Sequence, residues 1–343
     1  MKKIILLSLL AFVSIALNAQ EPVLVDGLWY KINNWDGGAT VVANPNNEGY
    51  SGDIVIPDVV NIGGEDHNVT QIGERAFCGT KIFSVTVGKN VKSINRHAFS
   101  YSTVASAVIG GAEGNNCYIY DYAFYACDNL KSVVIGDNVR GIYTQAFQNC
   151  PSLTSVVLGK NVYFSGPSAF LGCIKLNDIY CFNESGPWVS GGRIFEGDKL
   201  SSMTLHVPEA SVGKYTNYPW SAFGTIEAMA SNELVKCAAP EISYANGTVS
   251  FASATEGVQY VSFVEYVEKE FNNDSDYPAP SNFRVKVIAV KSGFLPSDVA
   301  QKEFALESYV DVKTGDYKQG DVNKDGNVNV ADHVKLSDVI MNK

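Results

Sequence analysis

Near its C-terminus the chain reads GDVNKDGNVNVADHVKLSDVI over residues 320–340, with oxygen-bearing side chains at a regular spacing. Counted from Asp321 as position 1, Asn323 falls at 3, Asp325 at 5, Asn327 at 7, Asn329 at 9 and Asp332 at 12, with Gly326 at 6. Oxygen side chains at 1, 3, 5 and 12, a backbone carbonyl at 7 and a glycine for the sharp turn are what a Ca²⁺ loop needs. Val328 is placed to pack inward, and Val334, Leu336 and Val339 form the apolar side of a following short helix. The three carboxylates of Asp321, Asp325 and Asp332 are diluted by neutral Asn323 and Asn329, which sets a weak affinity, on the order of 10⁻⁴ to 10⁻³ M. The competing reading is an Asp/Asn-rich turn that holds no ion.

The remaining reactive side chains do not assemble into a catalytic pattern. His67, His97, His206 and His333 lie in unrelated contexts, and G-x-S-x-G, H-E-x-x-H, P-loop and G-x-G-x-x-G motifs are all missing from the sequence. Glycoside hydrolysis needs two carboxylates roughly 5–10 Å apart in a cleft, whereas the acids here are scattered singly. The reading is noncatalytic. Seven cysteines are present without a C-x-x-C pair that would suit structural zinc.

What must position any binding group is a repeat. Ala-Phe pairs occur at 76–77, 98–99, 123–124, 146–147 and 169–170, and Ile194-Phe195 stands in once; the Phe-to-Phe spacings are 22, 25, 23, 23 and 25. Matching positions include Cys127 with Cys150, Leu130 with Leu153, Val133 with Val156 and Val139 with Val162. A unit of this size cannot bury its own apolar side, but stacked units share one continuous core. In each unit S-V-V-[IL] reads as a short strand and G-x-N-V as the turn ending it. Gly136 and Gly159 are expected to permit tight backbone there, and Asn138 and Asn161 to tolerate left-handed geometry. Cys127, Cys150 and Cys173 should stack as a ladder of buried free thiols, in preference to bridges that an odd number cannot complete.

If Val133 and Ile135 point inward, Ser132, Val134 and Gly136 point outward. The columns continue through Ser84, Thr86 and Gly88, Ser106, Val108 and Gly110, Ser155, Val157 and Gly159, then Asp178, Tyr180 and Phe182, and last Ser202, Thr204 and His206. Six strands would make a face about 30 Å long with a central stripe of Val108, Val134, Val157 and Tyr180, a candidate partner-binding surface. The preference of β-branched residues for strands accounts for the same stripe without a partner.

The pattern A-F-x-x-C-x-x-L-x-S-V-x-[IL]-G-x-N-V resembles the BspA-type bacterial leucine-rich repeats. Residues 205–226, LHVPEASVGKYTNYPWSAFGTI, are similar to the segment that closes such arrays, and DGLWYKINNWDGGATVVANP to their opening hairpin. The resemblance implies a secreted or surface recognition module of the kind described as adhesins. The loop and helix at 320–343 resemble one repeat of a type I dockerin, with Asp332 where an EF-hand has glutamate; that implies Ca²⁺ as cofactor and a cohesin-like receptor as partner.

The other segments complete the layout. Residues 1–19, with Lys2 and Lys3 before an apolar run, read as a bacterial secretory signal. Residues 20–70 form an N-terminal β cap and 71–229 the solenoid with its C-terminal cap. Residues 240–306 change to a period of two around an Asn246-Gly247 turn and read as an antiparallel sandwich, similar to fibronectin type III or Ig-like modules. Residues 307–319 are a linker. The expected class is mainly β: solenoid, small sandwich, calcium loop-helix. A net charge of −10 with no basic stripe argues against nucleic acid as partner, and no stretch after the signal is apolar enough to be a transmembrane helix. The functional expectation is an exported recognition or adhesion protein for a protein or glycan ligand. The alternative is a dockerin-tagged accessory component of a polysaccharide-degrading assembly.

Overall fold

The computed structural model describes residues 21–110, 114–190, 192–195, 197–229, 235–245, 248–267 and 282–305. The signal segment, the Asn246-Gly247 turn, the linker and the calcium loop 320–343 lie outside the described residues. The chain divides into two compact units, Met1–Asn232 and Glu233–Lys343.

The first unit is a β-solenoid. Each coil runs from an Ala-Phe turn into a strand of one sheet, through the G-x-N-V turn, and back along a strand of a second sheet. The first sheet stacks Ser51–Ile56, Lys81–Val87, Ser106–Ile109, Ser132–Ile135, Ser155–Leu158, Asp178–Cys181, Thr204–Val207 and Thr225–Ala228, all parallel. Successive coils of the second sheet contribute Ser93–Ile94, Cys117–Ile119, Val139–Tyr143, Tyr163–Ser165 and Val189–Ser190. Antiparallel strands Val23–Val25, Leu28–Ile32 and Ala39–Val42 open that second sheet as the cap.

Between the sheets the repeat phenylalanines form a column. Phe77, Phe99, Phe124, Phe147, Phe170 and Phe195 are fully buried and stacked nearly parallel, with centroids 4.8, 4.6, 5.0, 5.3 and 5.6 Å apart. The spacing follows from the roughly 4.8 Å rise of a parallel ladder, which brings equivalent rings to offset-stacking distance. At the end of the column Trp220 is buried against Phe195, 6.0 Å between centroids, and its indole N–H donates to the Pro187 carbonyl at 2.9 Å.

Beside the phenylalanines the thiol ladder is present, and all seven cysteines are free. Cys127 donates to the Phe99 carbonyl at 3.1 Å, Cys150 to Phe124 at 3.2 Å and Cys173 to Phe147 at 3.2 Å. Thr80 holds the same place in an earlier coil and donates to its own coil, at the Phe77 carbonyl, 2.7 Å. Hydrogen bonding to Cys127 and Cys173, followed by burial, pushes the Cys150 thiol well above its ordinary range. Burial pushes Cys117 from 9.0 up to about 12 and Cys181 up to about 11. Above about pH 9 the unfolded chain therefore releases protons that the folded chain keeps. Stability should be unaffected by these thiols below that pH and fall as pH climbs toward 11. Urea midpoints measured across that window check this, and a midpoint that rises would contradict it.

The turns correct one expectation. Asn138 and Asn161 are not left-handed. Their side chains clasp neighbouring coils instead: Asn138 donates to the Asn115 carbonyl at 3.1 Å, Asn161 to Asp137 at 2.6 Å and Asn183 to Lys160 at 2.8 Å. A donor inside the stack satisfies carbonyls that the turn removes from the sheet ladder, a stronger need than backbone freedom. Left-handed residues do stand just before each Ala-Phe, at Arg75, His97, Tyr122, Gln145 and Ser168 with φ of 56°, 57°, 59°, 57° and 65°, and two residues after the repeat Phe at Tyr101, Ala126 and Asn149 with φ of 60°, 54° and 58°.

The second unit holds two small antiparallel sheets among its described residues. Glu241–Ala245 pairs with Thr248–Ala252, and Asn282–Val290 lies between Gln259–Val267 and Ala300–Ala305. Period-two alternation buries Phe283, Val285 and Val287 with Ile242, and Tyr244, Phe251, Val264 and Phe304 pack against them.

Candidate recognition surfaces of the repeat array

The outward columns of the first sheet are in register. Ser84, Ser106, Ser132, Ser155 and Asp178 pair across successive strands, as do Thr86, Val108, Val134, Val157 and Tyr180. Val133, Ile135, Val156 and Leu158 face the core.

Two details of the expected stripe are corrected. Val134 and Val157 are each only 3% exposed, and Val108 and Tyr180 are half-buried, so this is not an open apolar stripe. The register places Val134 between Val108 and Val157, and Val157 between Val134 and Tyr180, so strand neighbours occupy the flanks of these short side chains. The last coil is also offset from the expected alignment. Thr204 pairs with Asp178 and His206 with Tyr180, because Ser202 ends the 3₁₀ turn Gly197–Ser202 before the strand begins. His206 then stacks on Tyr180 with centroids 4.1 Å apart and planes at 5°. Its Nε2 lies 2.9 Å from Asp178 Oδ1 and its Nδ1 3.1 Å from Glu227 Oε1, which makes the far end of this face polar and charged.

The second sheet carries residues the sequence reading missed. Tyr118, Tyr120, Tyr143, Tyr163 and Trp188 gather on its outer side, with Tyr120 and Trp188 37% and 65% exposed. Y-I-Y at 118–120, G-I-Y at 141–143 and Y-F-S at 163–165 occupy one place in three coils, and that recurrence was the available signal.

Asp321, Asn323, Asp325, Asn327, Asn329 and Asp332 lie outside the described residues. Among the described residues no three His, Cys, Asp or Glu side chains cluster closely enough to hold a metal ion, and no helix is long and apolar enough to cross a membrane.

Residues 65–177 and 112–219 match the sequence family described as the BspA type leucine rich repeat region, in six copies. Over those residues the array is similar to a BspA-type leucine-rich repeat region. No curated protein sequence matches the chain. Among solved structures, the array is similar to a Leucine Rich Repeat protein of T. pallidum, 24% identical with a TM-score of 0.39 over 47% of this chain and 71% of that one. A leucine-rich repeat protein of Bacteroides capillosus is 27% identical with a TM-score of 0.33, over 47% of this chain and 99% of its own. A third likeness, at 15% identity and a TM-score of 0.20 over 62% and 96% of the two chains, is a leucine rich cell surface protein of Faecalibacterium prausnitzii.

Proposed function

We propose that this is an exported, noncatalytic recognition protein of the bacterial surface or surroundings. It binds a protein or glycan partner through its BspA-type array and carries residues 320–343 as a calcium-loaded docking tag. The observation that supports the reading most is the registered stacking of coils. It fixes outward side chains in straight columns on two sheets, a rigid display that costs little ordering on contact. Support for the tag comes from the loop spacing of Asp321 to Asp332.

Capture of partners by the full chain, compared with a chain ending at residue 319, tests the division of labour. Both should capture the array's partner. If all capture disappears with residues 320–343, the array is not the recognition element and recruitment by the tag to a larger assembly takes its place. For the tag, calorimetry on residues 311–343 should show Ca²⁺ binding in the 10⁻⁴ to 10⁻³ M range, on the order expected of low-charge extracellular loops, with a gain of helix by circular dichroism. Asp325→Ala should do neither. Identical behaviour of the two peptides removes the metal site.

A further inference from the structure

In the second sheet of the array, Ile94, Ile119, Ile142 and Phe164 pair across the coils and are buried in the core. Alternation therefore turns Tyr118, Gly141 and Tyr163 outward in one row, and Tyr120, Tyr143 and Ser165 in the next. Gly141 is the floor of this surface. A Cβ there would lie 2.9 Å from a Tyr143 ring carbon, 3.1 Å from one of Tyr118 and 3.2 Å from one of Tyr163. Three rings converge over bare backbone at a place where any side chain would lift them.

The rings are ordered among themselves. Tyr120 and Tyr143 stack at 5.0 Å, Tyr118 lies 6.5 Å from Tyr120, and Tyr163 meets Trp188 at 6.2 Å. Hydrogen bonding to Tyr163, followed by burial, pushes the Tyr143 hydroxyl up to about 12. The bordering side chains Asn95, Ser165 and Ser190 are neutral donors and acceptors. Of the nearby charged side chains, Arg140 Nε donates to Asn116 at 2.9 Å, and Asp121 accepts the Thr144 N–H at 3.0 Å.

Deepening the recognition reading above, on which it rests, we propose that this aromatic sheet face binds a neutral glycan, with pyranose rings laid on Tyr118, Tyr120, Tyr143, Tyr163 and Trp188. A pyranose presents a face of C–H groups and a rim of hydroxyls. The C–H face matches the electron-rich ring faces, and the hydroxyls match the tyrosine OH groups and the amide and hydroxyl border. A protein partner is less suited, because aromatic hot spots in protein interfaces fill or form pockets, and these rings stand along a sheet face, stacked at 5.0 Å or edge to face at 6.2 Å. An anionic partner meets a chain of net charge −10.

Affinity electrophoresis of the full chain through gels containing soluble β-glucan, xylan or galactomannan tests the proposal. At least one of these should retard the wild type, at an affinity that does not change with salt. Trp188→Ala and the pair Tyr120→Ala with Tyr143→Ala should each lose tenfold or more, with circular dichroism matching the wild type; Tyr163→Phe, which keeps the ring, should stay within threefold. Val55→Ala, on the opposite sheet and exposed, should leave retardation unchanged. Retardation by none of the three polymers overturns the glycan assignment, while capture of a protein partner by the same chain would leave the broader recognition reading standing. Retention undiminished in both Ala variants, or binding abolished by salt, also overturns it.

Discussion

Phe147→Ala is expected to cost about 4 kcal/mol, a large part of the stability of a single domain. Phe147 is fully buried, stacked at 5.0 Å on Phe124 and 5.3 Å on Phe170. Truncation removes its own transfer free energy and leaves a void that the neighbouring rings cannot fill, since each is fixed by its own coil. The backbone compounds the loss: the Phe147 N–H donates to the Ala169 carbonyl at 2.9 Å, and its carbonyl accepts the Cys173 thiol. Relaxation of that coil would therefore loosen both interfaces it makes, which is where stability resides in a stacked repeat. Urea unfolding followed by circular dichroism measures it. A loss below about 1 kcal/mol would mean that the column repacks, and that its stacking is incidental.

Gly159→Ala is expected to destabilise by about 3 kcal/mol for a different reason. Its added methyl would lie 2.5 Å from the carbon and oxygen of Gly136 and 2.7 Å from the Asp137 nitrogen, all backbone. A side chain could swing aside, but the adjoining coil has to move as a whole. That strains the Gly159 N–H bond to the Ile135 carbonyl, 2.8 Å, and the Lys160 N–H bond to Asp137, 2.8 Å. Gly213→Ala is the control, because nothing lies within 4 Å of the added group and its φ is not left-handed. It should change stability by less than about 0.5 kcal/mol, or raise it slightly through the unfolded chain. Equal effects at the two sites would show that glycine serves backbone entropy at both.

Much of the solenoid was legible because its repeat reports packing directly. The Ala-Phe spacing located the buried column, and S-V-V-[IL] located the strands and their register. Less legible was anything decided between coils. In the sequence Gly159 stands as a tight-turn glycine, whereas the adjoining backbone forbids a side chain there. Asn138 has the sequence setting of a turn former, and its side chain is a clasp to another coil. The offset of the last strand came from a 3₁₀ turn placed where the period had drifted. The aromatic face escaped notice because tyrosine does not repeat at one column: Gly141 interrupts one row and Ser165 ends the other. Periodicity finds what every coil shares, and that surface depends on where coils differ.

The left-handed residue before each Ala-Phe leads to a view of how such an array can change over generations. Arg75, His97, Tyr122, Gln145 and Ser168 share a backbone conformation and little else. Each is held there by its own N–H, donated to the next coil's carbonyl at Arg96, Asp121, Thr144, Pro167 and Arg193. Geometry at this position is thus imposed by the neighbour and does not depend on the kind of side chain it carries. A duplicated coil would arrive with one donor and one acceptor already matched, and could enter the stack before any of its outer residues had been tuned. Lengthening by whole coils is then cheap, and the exterior of each newcomer is left free to drift toward a new use.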